Sequence, residues 1–299
     1  MSVLLWVILS VAVVLGYRGW QKMRLRALRA NDVRKALAHC GSLIVLIKKM
    51  QQHRGLSAGW LAGEKSFGSD MMQRRREIER VFIELEKLAE DESSQPRPVL
   101  QHNELRLLRF HWQELIEQLS GLDASKCIAR HSQLIARVLD WLSALGDARV
   151  TLKLSDAEGV ETAKNYADRL PRLAEYIGQA RAVGSSVAAA EKLSSVDSVR
   201  LHYLVMRIES LSNFSRSEMG GGEWKTAREA VRNLLSTVQT ALIGKGGVSI
   251  PAGQYFALAT QALDAVYACD QACAVDLSQR IDRLVSKEMF ADHARAVLG

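Results

Sequence analysis

The side chains best suited to chemistry lie in the stretch Gln51-Gln52-His53-Arg54-Gly55-Leu56-Ser57-Ala58-Gly59-Trp60-Leu61. Cys40, Leu43, Ile47, Met50, Arg54, Ser57 and Leu61 follow one another in alternating steps of three and four, which puts all seven on one stripe of a helix. Arg54 thus occupies a position where a leucine is expected. Burying a guanidinium without a counter-charge is costly, so an anion must come from the protein or from a ligand. Two readings stay open. Arg54 either reaches the rim or pairs with a glutamate of the next helix, or it serves a small-anion site. Gly55, Ser57, Ala58 and Gly59 surround it with small side chains, which leave room for a neighbouring helix or a small guest.

A second stretch repeats the pattern. Gln179-Ala180-Arg181-Ala182-Val183-Gly184-Ser185-Ser186-Val187-Ala188 again sets an arginine among small residues, and Arg181 continues the stripe Leu173, Ile177, Arg181, Gly184, Ala188. Two such stretches point to two related helical halves. Arg54, then Arg181, are the expected anion contacts, because a guanidinium fork presents coplanar donors to a small oxyanion. Gly55, Ser57 and Ala58 would supply space and a hydroxyl donor.

Three segments carry a family resemblance. Leu46 to Leu61, with its His-Arg-Gly-Leu-Ser-Ala core, resembles the first helix of the nitrate- and nitrite-sensing (NIT) domain. Tyr166-Ala167-Asp168-Arg169-Leu170-Pro171-Arg172-Leu173, followed by Gln179-Ala180-Arg181, is similar to the family's middle segment. Ile250-Pro251-Ala252-Gly253-Gln254-Tyr255-Phe256, with Thr260 and Asp264, is similar to its closing helix. Together they span about residues 35 to 270. The resemblance implies two four-helix bundles with nitrate or nitrite bound between helices. It also implies basic ligand contacts late in the second half, for which Arg228 and Arg232 are candidates, although the bland reading of both is a surface position. One departure stands at the centre of the first motif, where His53 replaces the family's usual glutamate. NIT domains commonly feed an effector such as an RNA-binding antiterminator, a kinase, a cyclase or a chemoreceptor tail. None is recognisable here, so output is expected through an unknown signalling protein or through self-association as a homodimer. The final helix, with Leu277, Ile281, Leu284 and Val285, is the expected docking surface.

The elements that position these residues are helical throughout. The chain has 299 residues, 48% of them hydrophobic, and only 4 prolines, enough to bury a large core. Alternating β-branched runs and hairpin turns are scarce. In the first half, helices are expected from Asn31 or Asp32 as a cap to about Gly63, from Ser69 as a cap through Leu88, from Val99 to Ser120, and from Ser125 onward. Glu90-Asp91-Glu92 with Pro96 and Pro98 reads as a linker. In the second half, helices are expected over 161–192, with a kink or fresh start at Pro171, and over 197–216, 223–243 and 251–297. The expected fold is all-α: an N-terminal transmembrane helix (1–20), a basic juxtamembrane segment (21–30), and two antiparallel four-helix bundles (31–154 and 155–299).

The membrane expectation rests on residues 3–17, which carry no charge, while Arg18, Lys22, Arg24, Arg26 and Arg29 follow them. With its flanks the run reaches the roughly 20 apolar residues that span a bilayer. Positive charge after the span predicts a single-pass inner (plasma) membrane protein with its bulk in the cytoplasm and lipid contact through this helix. A periplasmic sensor on an uncleaved anchor is the alternative topology. The net charge of +7 is concentrated in this cluster and is not a nucleic-acid footprint. Four scattered cysteines suit a reducing compartment. Cys127 and His131, four apart, lack a second ligand pair, so neither a metal nor another cofactor is expected. No nucleophile elbow, metalloprotease motif or phosphate loop is present, and an enzyme is not expected. The competing reading is a helical scaffold that keeps the fold and binds no ligand.

Overall fold

The computed structural model describes residues 2–154, 156–212 and 222–298, with the side chains of 284–298 and of many positions in 2–29 outside that description. The described chain is helical: α1 (Ser2–Leu61), α2 (Gly68–Ser93), α3 (His102–Glu117), α4 (Ala124–Leu145), α5 (Ala157–Lys164), α6 (Leu170–Ala190), α7 (Ser195–Ser212), α8 (Gly222–Thr237) and α9 (Ala252–Leu298). No strand occurs among the described residues. Helices α1 to α4 close on themselves, with α1 against α2, α2 against α3, α3 against α4 and α4 against α1. Helices α6 to α9 do the same. The two groups meet along α1–α9, α4–α6 and α1–α6 contacts, and one continuous core runs from Ala30 to Ile281.

The periodic stripes are the inward faces. Cys40, Leu43, Ile47, Met50, Arg54 and Ser57 are buried, as are Ile78, Phe82, Leu85 and Leu88 on α2 and Leu105, Leu108, Trp112 and Leu115 on α3. Asp123 caps α4 by accepting from the Lys126 N–H at 2.7 Å, and Glu104 reaches back to the Gln101 N–H at the start of α3. Pro171 lies in the first turn of α6, directly after a π-helical stretch, Asn165–Arg169, that joins α5 to α6. The fresh start at Pro171 is therefore a wide turn within a continuing helix, which accommodates the missing N–H.

Several boundaries differ from expectation. Helix α1 has no cap at Asn31 or Asp32, both exposed, and is continuous from Ser2 to Leu61. The strong helix formers on either side outweigh the local preference of those two residues. Ser69 lies inside α2 instead of capping it. The acidic run 90–92 is helical, and two of its three charges are held by partners on other elements. Asp91 pairs with Lys35 at 2.7 Å, and Glu92, buried, takes Arg149 at 2.9 Å and the Val99 N–H at 2.9 Å. Leu277 and Ile281, expected on a docking face of the last helix, are core residues, and the side chains of Leu284 and Val285 lie outside the description. The apolar run 3–17 forms the first turns of α1. Among the described residues no helix is long and apolar enough to cross a membrane.

One close approach fixes the packing of α6 on α9. Tyr255 is fully buried and donates its hydroxyl to the Ala180 carbonyl at 2.8 Å, and a Cβ at Gly184 would lie 2.3 Å from its ring. Gly184→Ala is expected to destabilise the fold by about 1–3 kcal/mol through overpacking. A denaturant midpoint lowered at unchanged slope is the expected result.

Candidate functional site

Arg54 is 1% exposed, and its anion comes from within the chain. Its Nη1 donates to Glu175 Oε1 at 2.5 Å and to Ser132 Oγ at 2.8 Å. Two amides brace the same carboxylate: Gln179 Nε2 donates to Oε1 at 2.8 Å and Gln51 Nε2 to Oε2 at 2.9 Å. Gln51 in turn accepts from the Tyr267 hydroxyl at 2.7 Å. The cluster thus ties α1 to α4 through Ser132, to α6 through Glu175 and to α9 through Tyr267. Local sequence makes the approach feasible. A Cβ at Gly178 would meet Arg54 Nη2 at 2.8 Å, so glycine lets the guanidinium lie against the α6 backbone.

A second arginine lies close to this place, and a third is shifted by the Arg54 charge. Arg181 lies on α6, half-buried, with Nη1 donating to Thr260 Oγ1 at 3.0 Å and its guanidinium over the Phe256 ring at 4.9 Å. Burial and then the Arg54 charge lower its pKa, with Asp264 opposing. Arg200, on α7, is shifted the same way by burial and then by Arg54, with Asp197 opposing. Among the described residues no carboxylate lies within ion-pair distance of Arg181 or Arg200. Of the three arginines, Arg54 alone is ion-paired among the described residues, to Glu175.

The other expected site residues divide. Gly55 faces Arg181, since a Cβ there would lie 4.0 Å from Arg181 Nη2. Ser57 is buried, but its hydroxyl meets His53 Nδ1 at 3.1 Å instead of Arg54. Arg232 is exposed on α8 and Arg228 half-exposed, whereas their neighbours Ala227, Ala230 and Val231 enter the core. Glu175, Ser132, Tyr267 and Arg200 went unnoticed in the sequence. Glu175 had one available signal: it is the single acid in the 21 residues of α6.

Beside Arg54 lies a buried histidine pair. His131 Nδ1 is 2.8 Å from the Cys127 carbonyl, which can only accept, so that nitrogen carries the proton. His131 Nε2 is then bare and takes the proton of His53 Nδ1 at 2.9 Å. Trp112 packs edge-on against both rings. Burial, reinforced by the His131 charge, pushes His53 down to about 2, and burial pushes His131 down to about 3. Both rings are neutral, and the position that carries a glutamate in the usual motif adds no charge of either sign. All four cysteines are free and buried, their thiols pushed up to about 12. Among the described residues no group of His, Cys, Asp and Glu could hold a metal ion.

An all-helical protein with a buried guanidinium–carboxylate pair between its two helix groups is the class that this geometry defines. The profile of the NIT family, described as nitrate and nitrite sensing, matches residues 45–278, and the chain belongs to that family. Among solved structures, the chain is similar to "Structure of the NasR transcription antiterminator" with a TM-score of 0.68 at 17% identity, covering 89% of this chain and 74% of that one. That likeness is one of fold. No curated protein matches the sequence.

The histidine pair sets a pH dependence. Its folded pKa values lie below the unfolded value of 6.5, so the unfolded chain binds more protons as pH falls below 6.5, and stability is lost over that range. Asp270, pushed up to about 7 by burial, acts oppositely and gains stability as pH falls through 7. His131→Gln is therefore expected to flatten the loss of stability between pH 6.5 and 4.5 by about 1.4 kcal/mol per pH unit. Urea unfolding at three pH values measures it.

Proposed function

We propose that the chain senses nitrate or nitrite at the junction of α1, α6 and α9, with Arg54 and Arg181 as the primary contacts. The observation that carries this reading is the buried Arg54 with Arg181 facing the next residue of α1, Gly55, and lacking an ion-pair partner among the described residues, in a member of the nitrate- and nitrite-sensing family. Such anions are planar or bent, and guanidinium groups from different helices match their oxygens with coplanar donors. An anion held this way bridges helices, and it favours one packing over another by its differential affinity for the two. The output passes to an unidentified protein or through a second copy of the chain. Residues 1–20 tether the chain to the inner membrane with its bulk in the cytoplasm; the uncharged run before the Arg18 to Arg29 cluster supports this. Reporter fusions after residue 30 and at the C-terminus test the topology, and both are expected to report the cytoplasmic side.

A second reading has its own observation. Arg54 is already satisfied by Glu175 and Ser132, as it would be in a scaffold that needs no ligand. Calorimetric titration of the full chain with nitrate, nitrite and chloride separates the two. Saturable nitrate or nitrite binding is expected, with chloride weak. Arg181→Ala, which strands no carboxylate, is expected to weaken binding about 10- to 100-fold, the worth of one charge-assisted hydrogen bond. Arg232→Ala is expected to leave it unchanged. No heat and no thermal shift with any of the three anions would establish the scaffold.

A further inference from the structure

The Glu175 carboxylate is itself a planar oxyanion held by a guanidinium, two amides and burial, which is the set of contacts a small anion would need. We propose that Glu175 is a built-in stand-in for the ligand, and that a planar oxyanion binds by displacing it from Arg54. This rests on the anion-sensing reading above and adds which residue sets affinity and selectivity.

Three observations carry the proposal. First, Glu175 is 4% exposed, and each of its oxygens is engaged from another side chain: Oε1 by Arg54 and Gln179, Oε2 by Gln51. An anion entering beside Arg54 meets this carboxylate as a like charge, and the two cannot share the guanidinium without loss. Second, a positive charge that would help hold the newcomer lies close by, since Arg181 faces Gly55 beside Arg54 and has no carboxylate in ion-pair distance among the described residues. Third, the amides that brace Glu175 are chained to other helices. Gln51 stands on α1 and is held by Tyr267 of α9, so releasing Glu175 also frees the Gln51 amide and the α9 tie behind it. Displacement would therefore convert occupancy at Arg54 into a changed relation of α6 to α1 and α9. Chloride lacks the oxygen pair that the carboxylate now offers, Oε1 to Arg54 Nη1 and the Gln179 amide and Oε2 to the Gln51 amide, so the same contacts select for shape.

The test titrates the full chain and its Glu175 variants with nitrate, chloride and formate, the last as a free carboxylate probe. Glu175→Gln removes the competing charge and is expected to bind nitrate at least tenfold tighter than the unmodified chain. Glu175→Ala vacates the place, and formate is expected to raise its Tm saturably and to compete with nitrate, while chloride does neither. A general loss of negative charge would instead strengthen nitrate and chloride alike and would leave formate without a specific effect; that result overturns the stand-in. Nitrate binding by the unmodified chain with no gain in Glu175→Gln overturns it too, yet leaves the sensor reading in place. No response to any anion in all three proteins removes both. Should the Glu175 variants fail to fold, Gln179→Ala keeps the ion pair and loosens the carboxylate. A gain of a few fold in nitrate affinity is then expected, and an unchanged affinity counts against the proposal.

Discussion

Arg54 has to be inside, because its place on the α1 stripe leaves it no route to solvent, and everything around it answers that requirement. A guanidinium at 1% exposure needs a counter-charge and acceptors in fixed places. Glu175 supplies the charge from α6, Ser132 an acceptor from α4, and Gln51 with Tyr267 carries the bracing on to α9. Gly178 removes the one Cβ that would push the group away. The two helix groups thus meet at a polar joint set within an apolar core. Such a joint specifies register, since sliding either helix by one turn would strand a buried charge.

The histidine pair bears on the same joint from its other side. A protonated imidazole at 53 would add a further positive charge beside Arg54, and a carboxylate there would compete with Glu175 for it. The tautomer chain from the Cys127 carbonyl through His131 to His53 keeps that position neutral and hydrogen-bonded. The departure from the usual motif therefore leaves Glu175 as the carboxylate that answers Arg54.

What the sequence made legible was whatever depends on one helix at a time. The stripes through Cys40 and Met50, Ile78 and Phe82, or Leu105 and Trp112 are inward faces because periodicity within a helix is local. So was the singularity of Arg54 and Arg181. Contacts between helices were not legible. Nothing in the spacing says that α6 offers Glu175 to α1, or that Arg200 on α7 feels the Arg54 charge. The acidic run at 90–92 has the composition of a linker, and only the reach of Lys35 and Arg149 from other elements shows why it stays helical. Arg232 came from a family pattern without a firm alignment, and its exposed place on α8 sets it apart from the buried cluster.

The uninterrupted course of α1 couples two ends of the molecule mechanically. Position 18, where the basic cluster begins, and Arg54 lie on one helix with no proline between them, ~54 Å apart at 1.5 Å per residue. No loop intervenes to absorb a displacement. A turn of the Arg54 end about the helix axis must reappear at residues 18 to 29 as a turn of similar angle, as in a key and its shank. The backbone that carries the joint and the backbone that carries the basic cluster are thus one uninterrupted element.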